Sequence, residues 1–157
     1  MTTPLARHYM DVASRLKDLL DANKLSLGID SVYYGDQTLI PTGVAVCVEP
    51  APSSRQLQGS SNMTLNALTA FILVYVSRVD LSQSDRRLLA DKVSKDIEYT
   101  LHTNLQLRDS TGNNPIVIHG YISELDPGYA VRNKGMLLEA VRMKWVGTTK
   151  TMLSQQP

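Results

Sequence analysis

Residues 60–78, SSNMTLNALTAFILVYVSR, form the longest run in the chain that alternates as a single β-strand. One face carries Leu65, Ala67, Thr69, Phe71, Leu73 and Tyr75, and the other carries Leu68, Ala70, Ile72, Val74 and Val76. This period of two is that of a pleated strand. Both faces are apolar between Phe71 and Val76, so we expect this half of the strand to be covered on both sides.

The length of this strand bears on function. At about 3.3 Å per residue, a strand of about 17 residues reaches about 55 Å. A compact domain of this size has a radius of gyration of only about 15 Å. We therefore expect the outer half of the strand to bend or to leave the globule, and to contact other chains.

The composition predicts one globular domain. The chain has 157 residues, of which 43% are hydrophobic and 20% are charged, with a formal net charge of +1; these values are typical of a single packed core. A dedicated nucleic-acid-binding domain would carry a clear basic excess. Cys47 lies in an apolar strand pattern, which indicates a buried thiol made in a reducing compartment. The chain has no signal-peptide pattern and no run of about 18 apolar residues, so we expect neither export nor contact with a membrane.

Two helices are predicted from apolar spacings of three and four. Thr3 and Pro4 suit the cap and the first position of the first helix. Its apolar stripe is Leu5, Tyr9, Val12, Leu16, Leu19 and Leu20. Ser82 caps the second helix, with Asp85 three residues later. Its apolar stripe is Leu89, Ala90, Val93, Ile97 and Leu101. The charged face of this helix, which includes Arg86 and Arg87, is interpreted as ordinary solvated surface.

The remaining strands are predicted at residues 31–34, 44–49, 116–122 and 136–146. We expect the second of these to stop at Pro50 and to pair with the long strand. A projecting loop at residues 50–59 should connect the two strands. Residues 124–135 are interpreted as a polar connection with turns at Pro127-Gly128 and at residues 132–135.

These elements predict an α+β domain over residues 1–147, in the order α-β-β-β-α-β-β. Two helices cover one face of a mainly antiparallel sheet of about five strands. Residues 148–157 are interpreted as a flexible C-terminal tail.

No motif for catalysis or metal binding emerges. His8, His102 and His119 do not stand at ligand spacing with one another or with a Cys or carboxylate. Glu124 and Asp126 flank a Pro-Gly pair, where carboxylates usually belong to a turn rather than to an acid and base pair. Nucleophile elbows, phosphate-binding loops and dinucleotide glycine patterns are absent from the sequence. The sequence therefore predicts no enzyme, no metal and no cofactor.

The order of elements resembles the tail terminator (tail completion) proteins of long-tailed bacteriophages. The resemblance rests on the amphipathic first helix, the aromatic pair Tyr33-Tyr34, the segment PTGVAV at residues 41–46 and the long strand ending YVSR at residues 75–78. It continues through one helix into a closing hairpin with Gly128-Tyr129 and the strand LEAVRMKW at residues 138–145. It covers roughly residues 5–146.

The resemblance implies a structural role without catalysis or cofactor. Proteins of this family form a six-membered ring on the last ring of tail-tube subunits, stop tube growth and present the surface to which the head-completion or neck protein attaches. It implies a virion protein at the head-proximal end of the tail, assembled in the host cytoplasm. DNA would pass through the lumen of the ring without sequence recognition. The candidate interface residues are Arg55, Gln56, Leu57, Gln58, Tyr129, Arg132 and Lys134.

Two alternatives stay open. Another tail-tube or head-completion subunit has a similar sheet-and-helix build, but a tube subunit polymerises without a defined end, whereas a terminator stops at one closed ring. A small cytoplasmic ligand-binding domain or enzyme predicts a monomer or dimer with an apolar cavity between helices and sheet.

Overall fold

The computed structural model describes residues 5–57, 63–104, 107 and 119–152. The helices in these ranges are α1 (Leu5–Ala22), α2 (Lys24–Leu27) and α3 (Gln83–His102), and the strands are β1 (Ser31–Tyr34), β2 (Gly43–Leu57), β3 (Met63–Ser77), β4 (His119–Arg132) and β5 (Met136–Met152). The strands form one sheet in the order β1-β2-β3-β5-β4. The β1–β2 pair is parallel and the others are antiparallel. The predicted α+β class and element order are confirmed, and α2 is a short addition.

The predicted long strand is confirmed as β3, which has 15 residues and lies at the centre of the sheet between β2 and β5. On one face Leu68, Ala70, Ile72, Val74 and Val76 are fully buried under the helices. On the other face, which we call the open face, Phe71 and Leu73 remain partly exposed. The expectation that both faces are covered is therefore wrong at these two residues, because the helices pack on one face only.

The helices are held by the apolar stripes that the sequence predicts. Val12, Ala13, Leu16 and Leu20 of α1 and Ala90, Val93, Ile97 and Leu101 of α3 are buried. They pack with Val141, Met143 and Trp145 of β5 in the main core. Ser82 Oγ accepts a hydrogen bond from the Asp85 amide at 3.2 Å, which confirms the predicted cap. Thr3 and Pro4 lie outside the described residues.

Proline does not end β2 at Pro50. Beyond Val48, β2 pairs with β3 alone among the described strands, so a proline that turns its missing N–H to the unpaired side removes no ladder hydrogen bond. Pro52 falls at a β-bulge of the same strand, where irregular pairing also tolerates proline. The prediction of a loop from Pro50 onwards is therefore wrong as far as Leu57, and residues 58–59 lie outside the described ranges.

The same reason corrects the predicted connection at residues 124–135. β4 is an edge strand, and it runs without interruption through Pro127 and Gly128. The predicted turn at residues 132–135 is confirmed as the tight β4–β5 turn, in which Asn133 and Lys134 have φ of 54° and 61°. Of the strand predicted at residues 116–122, residues 116–118 lie outside the described ranges.

β5 is longer than predicted. Thr148–Met152, which the sequence analysis assigns to the tail, pair with Met63–Ala67 of β3. Threonine is common in strands because its branched side chain fits a pleated surface. Residues 153–157 lie outside the described part of the chain.

Candidate functional site

The sheet continues past the C-terminal end of α3. The amide of Ile122 donates to Nε2 of His102, the last residue of α3, at 3.2 Å. In the register of the sheet, Ile122 is opposite Trp145, and Trp145 is opposite Ala70. The end of α3 thus lies level with Ala70. We call the part of the sheet further from α3 the three-stranded extension: residues 54–57 of β2, 63–67 of β3 and 148–152 of β5. At its base Thr148 also pairs with His119 of β4.

The extension has two lateral edges. In the described part of the chain, both the end of β2 and the segment Thr149–Met152 pair with β3 alone. Unpaired strand edges are templates for pairing with another chain unless they are blocked. The β2 edge carries Pro50, Pro52 and a bulge below the extension. Thr149–Met152 has neither proline nor bulge, and its one charged residue is Lys150, a residue type that also protects edges.

The predicted interface residues fall into two groups at opposite ends of the sheet. Arg55, Gln56 and Leu57, of which the structure describes the backbone, lie in the extension; Gln58 lies outside the described residues. Tyr129, Arg132 and Lys134 lie at the end of β4 and in the β4–β5 turn.

The sheet register gives the separation of the two groups. Tyr129 is level with Val76 of β3, and Arg55 is level with Asn66. About ten residues of strand separate these levels, which is roughly 33 Å. The two groups therefore cannot form one continuous patch within a single subunit.

A segment that the sequence analysis did not single out lies at the second group. Residues 36–40, which we call the strap, follow β1 and bind to the β4–β5 turn. The Asn133 side chain accepts from the Ile40 amide at 2.5 Å and donates to the Ile40 carbonyl at 2.8 Å. The Asn133 amide donates to the Thr38 carbonyl at 3.1 Å. Ile40 packs with Ala45, Cys47, Tyr75 and Leu138 in a second, smaller core on the open face.

Arg132 is held by the strap. Its guanidinium donates to Asp36 Oδ2 at 2.6 Å, to the Tyr75 hydroxyl at 2.8 Å and to the Gln37 carbonyl at 3.1 Å. The Tyr75 hydroxyl in turn donates to Asp36 at 2.8 Å. Burial, together with this hydrogen bond, raises the pKa of Tyr75. The contacts show that Arg132 packs the strap against β4 and β3; its contact with neighbouring subunits stays a prediction.

Replacing Asn133 by Ala should destabilise the fold by about 2–3 kcal/mol, because both side-chain hydrogen bonds to Ile40 are lost and alanine is strained at positive φ. Asn133→Gly is the matched control, since glycine keeps the backbone conformation and loses the same hydrogen bonds. Urea unfolding measures both. If both variants unfold like the parent protein, the Asn133 side chain does not hold the strap.

Tyr129 lies in a second polar cluster, between β4, β5 and α3. Its side chain is 55% exposed, and its hydroxyl accepts from Gln83 Nε2 at 3.3 Å. The Arg87 guanidinium lies 5.3 Å from the centre of the Tyr129 ring, a cation–π distance. Tyr129 is therefore accessible for contact but fixed in position. Lys134 is exposed in the turn beside the strap.

Arg87 also compensates a buried charge. Its Nη2 atom lies 2.6 Å from Oε2 of Glu139, an ion pair without hydrogen-bond alignment. The Glu139 side chain is only 3% exposed. Arg87 further donates to the carbonyls of Gly128 and Ala140. The interpretation of Arg87 as solvated surface is wrong. A signal was present in the sequence, because strand alternation puts Glu139 on the same face as Val141 and Met143.

The open face between the strap and the extension mixes apolar and charged side chains. The Arg142 guanidinium lies 4.0 Å from the centre of the Phe71 ring. Across the β4–β5 pair, Asp126 is opposite Arg142 and Glu124 is opposite Lys144. Glu124 and Asp126 are therefore exposed strand residues, which corrects their reading as turn residues.

The described residues offer little reactive chemistry. No group of three or more His, Cys, Asp or Glu among them is arranged to hold a metal ion. The predicted burial of Cys47 is confirmed. That burial raises the pKa of its thiol to about 11, so the reactive thiolate is scarce near neutral pH. The helices that the structure describes include none that is long and apolar enough to cross a membrane.

No model of a known protein family matches the sequence, and no curated protein aligns with it significantly.

Proposed function

We propose that this chain is a structural virion protein that caps a phage tail tube, ends its polymerisation and forms the joint to the head. The observation that carries the proposal is the three-stranded extension, because it continues past the end of α3. Of the described helices, α3 ends before these strands, and unpaired strand edges are templates for pairing, so an extension of this kind favours contact with another chain. The resemblance to tail terminator proteins supplies the identity of the partners.

A cap must form a closed ring with a fixed number of subunits. A head-to-tail contact between different surfaces of the same chain closes into a ring when the rotation between subunits permits it. The two predicted residue groups lie at opposite ends of the sheet, about 33 Å apart by strand length. Two separate surfaces on one subunit are what a head-to-tail contact uses. We therefore propose that the extension contacts the next subunit or the tube.

The edges of the sheet differ in whether they can pair with a strand of another subunit. β4 carries Pro127 and a bulge between Ile122 and Glu124, and β2 carries Pro50, Pro52 and a bulge. Proline and bulges protect edges against strand addition. Among the described edges, Thr149–Met152 lacks proline and bulge and carries only Lys150 as a protecting charge. We therefore propose that strand pairing between subunits uses this segment, and that any contact along β4 uses side chains.

The ligand-binding alternative has less support. It predicts an apolar cavity between helices and sheet. A cavity of about 340 Å³ lies at the strap and the β4–β5 turn, where most of its lining is polar, including Asp36, Gln37, Asn133 and Lys134. The strap already has a structural role, because its residue Ile40 covers the second core.

We expect a closed homo-oligomer, a hexamer, when the protein is mixed with tail-tube subunits of the same phage. Free protein can remain monomeric if the extension is ordered only on assembly. Mass photometry of the mixture should resolve one added mass equal to six chains on each capped tube. Scattered single copies along the tubes, with no discrete added mass, would contradict the proposal.

A further inference from the structure

An apolar groove lies at the end of the sheet opposite the extension. It has a volume of about 160 Å³ and lies between the turn that joins β3 to α3 and the start of β5. Val79, Met136 and Leu137 line it, and they are 79%, 40% and 63% exposed. We call it the base groove. Contiguous exposed apolar side chains around a concavity mark interaction sites more often than scattered ones do.

The charge of the base groove is one-sided. Arg78 and Arg86 line it, and its lining holds no Asp or Glu. Arg78 is already paired with Asp80 through two contacts of 2.7 and 2.9 Å. Arg86 donates to the Leu81 carbonyl at 2.6 Å and has no ion pair among the described residues. One hydrogen bond leaves most of the five N–H donors of a guanidinium free to bind a carboxylate.

The groove therefore suits an aliphatic side chain with a carboxylate close to it in sequence. A second copy of this chain does not supply such a segment with an exposed leucine, because Leu125, which lies between Glu124 and Asp126, packs partly buried against the main core. The exposed leucines outside the groove are Leu25, Leu39 and Leu88. None of them has an acidic residue next to it in the sequence.

We propose that the base groove binds a segment of a different protein in which a leucine or similar aliphatic residue is flanked by acidic residues. The aliphatic side chain enters between Val79, Met136 and Leu137, and a flanking carboxylate pairs with Arg86. The surface is separate from the extension, and the proposal does not depend on the capping function.

The test uses the isolated full-length protein and two short peptides, acetyl-Glu-Leu-Asp-amide and its neutral counterpart acetyl-Gln-Leu-Asn-amide. Methyl-labelled methionine reports binding by NMR, with the Met136 signal assigned from Met136→Leu. We expect the Met136 signal to titrate with a dissociation constant in the millimolar range, as for a ligand of few atoms. The acidic peptide should bind about five-fold more tightly than the neutral one, since a partly exposed guanidinium–carboxylate contact contributes modestly.

Arg86→Gln should reduce this preference to less than about two-fold while the neutral peptide still binds, because the apolar walls are intact. Lys95→Gln, on the exposed side of α3, is the matched control and should keep the preference. The proposal is overturned if Met136 fails to titrate with either peptide, if the two peptides bind equally, or if Arg86→Gln keeps the five-fold ratio. Both substitutions alter side chains with some exposure, and thermal melting checks that each variant is folded. No tube is present in the peptide experiment, so a negative result there does not contradict the capping proposal. A failure to cap tubes likewise does not contradict peptide binding in the base groove.

Discussion

Replacing residues 54–67 by an Asn-Gly turn should abolish ring formation and tube capping while the domain still folds. The change removes the β2 and β3 parts of the three-stranded extension and keeps the Ala51–Thr69 pair. Leu68, Ala70 and Ile72, which pack under the helices, all remain. We expect the melting temperature to stay within about 4 °C of the parent, which corresponds to roughly 1 kcal/mol in a domain of this size.

Ile72→Ala is the matched comparison, because it damages the core and leaves the extension in place. Ile72 is fully buried, so truncation should cost about 2–5 kcal/mol, a large part of a total stability of roughly 5–15 kcal/mol. Its capping should fail only to the extent that the protein unfolds. Melting curves and capping assays on both variants separate the two cases. If the shortened variant caps tubes as well as the parent does, the extension is not the assembly element.

Removing the Arg87 side chain should be the most destabilising change at the boundary between α3 and the sheet. In Arg87→Ala, the carboxylate of Glu139 stays buried without its cation, and breaking such a pair costs several kcal/mol. Arg87 itself is 24% exposed, which lets water compensate in part, so we expect about 3 kcal/mol. Chemical denaturation gives the free energy of unfolding directly.

Two further variants test the cause of that loss. Arg87→Met combined with Glu139→Met removes both charges and should recover most of the stability, because a packed apolar pair can replace a buried ion pair. Arg86→Ala removes a neighbouring arginine that has no ion pair in the described chain and should cost less than about 1 kcal/mol. A double variant as unstable as Arg87→Ala would show that the uncompensated charge is not the cause.

Much of the fold follows from periodicity in the sequence. Alternation over residues 60–78 predicts β3, and the stripes ending at Leu20 and Leu101 predict α1 and α3. These signals are local, since each residue takes its face from its neighbours along the chain. The cap at Ser82 is also local, because its hydrogen bond spans three residues.

The strand boundaries predicted at the prolines of β2 and β4 are wrong for a physical reason. Pro50, Pro52 and Pro127 break strands only where the missing N–H belongs to a ladder. Whether a strand is at an edge depends on the order of strands in the sheet. The local sequence pattern does not specify that order. The extension was therefore predicted in part as a loop, and the long β4 as a turn.

The polar clusters depend on contacts that are distant in sequence. Asn133 binds Ile40, which is 93 residues away. An Asn-Lys-Gly turn predicts its own backbone conformation but not its partner. For the buried pair, alternation marks Glu139 as a charge on the core face, and only the packing of α3 identifies Arg87 as its cation.

The most direct test of the capping proposal is to add the purified chain to polymerising tail-tube subunits of the same phage and to image the tubes by negative-stain electron microscopy. The account predicts that tube growth stops and that one end of each tube carries a single added ring. Tubes that grow to the same lengths with bare ends would contradict it, as would incorporation of the chain along the length of the tubes.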